Sequence, residues 1–213
     1  MIKINDLSRS FGKFRLKNIS FKVGPGELCL ITGHNGAGKT LLLETIAGFW
    51  IPSSGSIFIN GQDVTFSSPE GRKIGFMYQD LWLFPHLSVR ENILYSLSVR
   101  GVSKHKKEER LKELDSIIGL EKIINRKNVS LLSGGEKQKI SLARALASDP
   151  EILLMDEPTH MLDKENRLIF YSLLERLKGK KTIIYIEHVH PDIEKFSDLE
   201  LIIKNGEIIN AIG

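Results

Sequence analysis

The segment Gly33-His34-Asn35-Gly36-Ala37-Gly38-Lys39-Thr40 fits the spacing G-x-x-x-x-G-K-[ST] and lies between an apolar, strand-like run and a helical pattern. That context is the one a phosphate-binding loop requires. Glycines let backbone N–H groups turn inward around a β-phosphate, and the helix that follows adds the positive end of its dipole. Lys39 can reach β- and γ-phosphate oxygens, and Thr40 can offer its hydroxyl to Mg2+. A second segment, Ile152-Leu153-Leu154-Met155-Asp156-Glu157, reads as a buried strand that ends in two carboxylates. Parallel strands place ligand-facing groups at that end. Asp156 could hold the Mg2+ shell there, and Glu157 could polarise an attacking water as general base. Taken alone, both acids could equally cap the following turn, because acids after strands are common.

Leu132-Ser133-Gly134-Gly135-Glu136 precedes a helix whose apolar residues Ile140, Ala143 and Leu146 have core spacing. Ser133 and Glu136 also have the spacing of a capping box, which accounts for the serine but not for the paired glycines. Leu-Ser-Gly-Gly with a polar fifth residue resembles the signature motif of ATP-binding cassette proteins, and the resemblance covers essentially the whole chain. It implies ATP and Mg2+ as cofactors. It also implies a head-to-tail homodimer in which Ser133, Gly134, Gly135 and Glu136 of one copy face the γ-phosphate held by the other, in keeping with anions at helix N-termini.

The same resemblance carries over to further positions. Phe11 matches the aromatic that stacks on adenine, although an aromatic near a strand end is more often core if taken alone. Gln79 matches the glutamine that links Mg2+ and the attacking water to the helical part of the fold. Asp163, in Pro158-Thr159-His160-Met161-Leu162-Asp163, matches the aspartate of a loop that crosses the dimer interface. His188 matches the switch histidine that contacts the γ-phosphate. Several positions depart from the pattern. Leu41, within the nucleotide segment, stands where a second hydroxyl often helps hold the α-phosphate. His160 and Met161 replace a common Ser-Ala, Glu136 replaces glutamine, and Glu187 and Val189 flank His188 where Thr and Asp are usual. None of these removes an essential catalytic group. His160, His188 and His190 lack the further ligands and spacing of a zinc site.

The elements that must position these groups follow from periodicity and breakers. Residues 1–7, 15–23 and 27–32 read as strands, and Gly24-Pro25-Gly26 makes a turn before the last. A helix opens at Lys39 and keeps its spacing to Trp50, before the breakers Pro52-Ser53-Ser54-Gly55. Asn60-Gly61 and Asn205-Gly206 read as hairpin turns. Residues 74–78 form a short buried strand, and amphipathic helices run from about residue 88, where Ser88 and Glu91 make a capping box, to about 124. A helix from Lys164 and a strand over 182–186 complete the alternation. The expected fold is α/β: a P-loop NTPase core with a mostly parallel sheet, an antiparallel β subdomain and an inserted α-helical subdomain over about 80–140. It is expected as one domain over 1–213 with no C-terminal regulatory domain.

Composition is consistent with this. The chain has 213 residues, 41% hydrophobic and 26% charged, which suits a globular enzyme and neither a disordered nor a membrane-spanning class. The net charge of +4 decides nothing alone, and the basic run Lys104-His105-Lys106-Lys107 falls in a helical pattern that reads as a solvated face. The lone Cys29 sits in an apolar run and reads as core, in a reducing compartment. No stretch resembles a signal peptide or a membrane span.

The stretch from Pro69 through Gln79 to Ile93 is similar to importer ATPases of the molybdate, tungstate, sulfate, polyamine and iron group. The resemblance implies a cytoplasmic ATPase on the inner face of the membrane, working with integral-membrane permease subunits and a solute-binding protein. Leu83-Phe84-Pro85 could dock the permease, or could be buried within the helical part. An exporter ATPase and a soluble cassette acting on nucleic acid or the ribosome are the alternatives. The latter kind usually carries long coiled-coil insertions or paired cassettes, which this chain lacks, and no nucleic-acid partner is expected.

Overall fold

Asp6 interrupts the alternation of the first strand. In this computed structural model, which describes residues 1–187 and 196–212, β1 (Ile2–Phe11) continues past Leu7 through a register shift at a left-handed Asp6, φ 45°. Ile2 and Ile4 are buried before the irregularity and the adjacent pair Leu7 and Ser8 after it, so period-two patterning stops at residue 7 while pairing goes on. β1 lies between β2 (Phe14–Val23) and β4 (Ser54–Ile59), and β5 (Gln62–Asp63) completes a four-stranded antiparallel sheet. Asn60 and Gly61 turn β4 into β5 with φ 51° and 82°, the left-handed pair that suits a tight hairpin.

The second sheet has six strands in the order β10-β9-β3-β8-β7-β6. β3 (Leu28–Thr32), β6 (Ile74–Met77), β7 (Ile152–Asp156), β8 (Thr182–Ile186) and β9 (Leu199–Lys204) are parallel, and β10 (Glu207–Ile212) joins antiparallel. Successive residues of the central strands are shared between two cores. Leu28, Leu30, Leu153, Met155, Ile183 and Tyr185 pack towards α3 (Val89–Val99), α4 (Lys104–Ile118), α5 (Gly134–Leu146) and α6 (Lys164–Leu177). Cys29, Ile31, Leu154, Ile184 and Ile186 pack towards α1 (Lys39–Ala47) and the antiparallel sheet. Cys29 is therefore core, and burial raises its thiol pKa.

α1 stops at Ala47, short of Trp50, because Gly48 takes φ 93° and its N–H bonds the carbonyls of Glu44 and Thr45. A four-residue helix, α2 (Pro69–Arg72), precedes β6. β3, β7 and β8 end side by side, so Thr32, Asp156 and Ile186 deliver the three loops of the candidate site to one edge of the sheet.

Candidate nucleotide-binding site

α1 begins with no side-chain cap and no acidic residue in its first turn, whereas α3 and α5 both carry full capping boxes. The opening amides of α1 are thus left for an anion. Its N-cap is Gly38 at φ 103°, where a Cβ would also lie 2.6 Å from the Phe14 ring, so only glycine fits. Lys39 is buried, and its Nζ donates to the carbonyls of Gly33 at 2.9 Å and His34 at 3.4 Å while standing 3.7 Å from Glu157 Oε1. These bonds fold the amine back over the loop.

Asp156 closes β7 and is buried. Its Oδ1 has no hydrogen-bond partner among the described residues, while its carboxyl bonds the Thr40 side chain. Burial raises its pKa, and the Thr40 bond opposes the rise. An orphaned carboxylate oxygen beside a hydroxyl is the hard-oxygen donor set that Mg2+ takes, so the residues fit that ion. Glu157 follows with φ 41°, and its N–H donates to Ile186 O at 3.0 Å. The β8 backbone thereby fixes where the Glu157 carboxylate emerges. Residues 35–41, Gln79 and Glu157 line one cavity of about 320 Å3.

Phe11, Ser133, Glu136 and Asp163 do not line that cavity. Phe11 packs edge-on to Trp50 at 5.5 Å, with the Arg9 guanidinium 5.2 Å from both rings. Ser133 Oγ accepts from Glu136 N–H at 3.2 Å, and Glu136 Oε2 accepts from Ser133 N–H at 2.8 Å, so the expected capping box forms. The Ser133 hydroxyl keeps its proton to donate. Asp163 caps α6, accepting from Asn166 N–H at 2.9 Å. His188, and with it His190, lies outside the described residues.

A family model described as ABC transporter matches residues 16–160. The chain belongs to the ABC transporter family. Among relatives of this ABC ATPase is the molybdate/tungstate import ATP-binding protein WtpC of Methanocaldococcus jannaschii, 39% identical over 98% of this chain and 69% of the relative. Another is the sulfate/thiosulfate import ATP-binding protein CysA of a Synechocystis species, 40% identical over 97% of this chain and 59% of its own length. The chain thus spans roughly two thirds of such relatives. A solved post-hydrolysis state of the ATP-binding cassette MJ0796, dimeric and bound to ADP and Pi, is similar across 100% of this chain and 98% of its own, with a TM-score of 0.86 and 28% identity.

Within the ABC ATPase, two anchoring residues escaped sequence reasoning. Arg144 of α5 donates to the carbonyls of Leu81 and Trp82, just after Gln79. Asn92, fully buried on α3, donates to the carbonyls of Phe84, Leu87 and Ser88 and accepts from Phe84 N–H. A polar residue at a core position of an amphipathic helix was the available signal for Asn92.

Proposed function

We propose that this ABC ATPase hydrolyses Mg-ATP between two head-to-tail copies of itself and so drives uptake of an oxyanion of the molybdate, tungstate or sulfate class through permease subunits. The observation that carries this reading is the cavity where Lys39, Thr40, Gln79 and Glu157 converge beside the orphaned Asp156 oxygen, while the Ser133 helix start, capped and accessible, lies elsewhere on the same chain. A second copy would bring that helix start to the phosphate side of the cavity. Lys39 would hold the β- and γ-phosphate oxygens, and Glu157 would orient the attacking water and take its proton. Mg2+, held by Thr40, Asp156 and Gln79, would supply charge neutralisation at the phosphates. Phe11 would carry the adenine, Asp163 would meet the partner copy, and His188 would reach the γ-phosphate.

The names of the WtpC and CysA relatives support the oxyanion and the direction of transport. No helix of the described residues is long and apolar enough to cross a membrane, in keeping with passage of the solute through partner subunits. A groove of about 330 Å3 lined by Leu81, Leu83, Pro85, Val129 and Met161 shares Gln79 with the phosphate cavity, which suits a permease segment whose movement is felt at the nucleotide. The implied location is the cytoplasmic face of the membrane, with a solute-binding protein delivering the anion. The test is ATP-dependent uptake of labelled molybdate, tungstate and sulfate by proteoliposomes holding this chain and the membrane subunits encoded beside it. Efflux, or ATPase activity stimulated by nucleic acid or ribosomes with no uptake, would refute it.

A further inference from the structure

Glu187 is buried at the carboxyl end of β8, where a carboxylate needs partners. Its Oε2 accepts from the Thr159 hydroxyl and, at 3.0 Å, from Tyr185 Oη. Tyr185 is fully buried, and burial first, then the Glu187 charge, pushes its pKa well up, so its hydroxyl remains a donor. The Glu187 N–H donates to Ile31 O of β3 at 3.3 Å, the strand that feeds the glycine loop. One residue thus touches the strand behind Lys39 through its backbone and the loop behind Glu157 through its side chain.

That second loop needs holding. Glu157 takes φ 41°, a conformation that is strained for a non-glycine residue and persists only where its surroundings over-determine it. The Glu157 N–H bond to Ile186 O is one restraint. The bond from Thr159 to Glu187 is the next, two residues on, and along the same loop His160 N–H bonds Glu157 O at 3.3 Å and Leu162 N–H bonds Thr159 O at 3.0 Å. Backbone and side chain together attach the loop to the end of β8 at two points.

We propose that Glu187 is a positioning residue for Glu157: through Thr159 it keeps the loop that bears the general base in register with the glycine loop. This rests on the ATPase reading above. The Thr159 and Tyr185 bonds end on a single Glu187 oxygen, and the carbonyl oxygen of a glutamine can take the same place.

The test is steady-state Mg-ATP hydrolysis by the full chain and by Glu187→Gln, Glu187→Leu and Thr159→Val, with rates expressed per folded molecule from circular dichroism. Glu187→Gln should stay within about twofold of wild type in kcat and KM. Glu187→Leu and Thr159→Val should each lower kcat by about tenfold with KM for ATP little changed, since sub-ångström displacement of a reacting group is costly. Their double variant should be no worse than the poorer single one. A Glu187→Gln as impaired as Glu187→Leu would show that the charge itself acts, and overturn the proposal. So would an unchanged kcat in Thr159→Val, which decides the matter if Glu187→Leu fails to fold. A wild-type chain with no Mg-ATP turnover overturns the ATPase reading and this role with it; an active wild type with insensitive variants overturns the role alone.

Discussion

The guanidinium of Arg144, on the helix that starts at Ser133, donates to Trp82 O at 2.6 Å and to Leu81 O at 2.5 Å. Leu81 and Trp82 are consecutive left-handed residues with φ 59° and 42°, so a fork from the signature helix secures the strained turn behind Gln79. The Trp82 ring stacks on Tyr78 at 4.6 Å, immediately before Gln79. Arg144→Lys keeps the charge and loses the fork. It should lower stability by about 1–3 kcal/mol in urea unfolding. An unchanged midpoint in Arg144→Lys would mean that the turn holds itself.

Glu157→Gln should bind ATP, accumulate a dimer and turn over at least about a hundredfold more slowly, because it keeps shape and loses the base. Lys39→Ala should weaken nucleotide binding instead, since it removes the buried amine that overlooks the loop. Isothermal titration and single-turnover hydrolysis separate the two. Wild-type rates in Glu157→Gln at saturating Mg-ATP would move the base to another residue.

Glu136→Gln should tighten ATP-dependent dimerisation by about two- to threefold at low salt and by less at high salt, as screening removes a like charge near the partner's phosphates. The gain is small because the carboxylate turns back to Ser133 N–H and stands 3.9 Å from Arg126 Nη2. Sedimentation of the Glu157→Gln background at two salt concentrations reads this out. Weaker association, or a gain indifferent to salt, would exclude electrostatics as the cause.

Gly135→Ala carries a prediction of sign. A Cβ at Gly135 would lie 2.6 Å from Asn166 Oδ1, and Asn166 Nδ2 holds both Asp163 oxygens at 3.0 and 3.1 Å. Alanine should therefore destabilise the chain, despite about 1 kcal/mol of better helix propensity, by pushing Asn166 off Asp163. In an Asn166→Ala background the same substitution should stabilise. Thermal melts of the four-member cycle decide, and additivity would refute the contact.

The glycine loop, the Asp156-Glu157 strand end and the Ser133 cap were legible because each is contiguous and written in spacing of fewer than about ten residues. Helix α6 and strand β8 start where periodicity and breakers place them. The bonds of Arg144 to Trp82 and of Thr159 to Glu187 span 62 and 28 positions, and no local period encodes such pairs. The end of β1 was lost for a different reason: a bulge at Asp6 flips the inward face, and alternation then reads as an ending. Apolar spacing carries on to Trp50 beyond the end of α1, whereas Gly48 ends the helix by backbone conformation.

The bare start of α1 sets a limit on how far this protein can be stabilised. Serine or aspartate at a helix N-cap is an ordinary route to a sturdier fold, yet any such side chain at position 38 would meet both φ 103° and the Phe14 ring. The helix can only be completed from outside the chain. Free energy that other helices contribute to folding is here reserved for binding, so melting temperature should rise with the logarithm of nucleotide concentration and respond little to consensus design at this position.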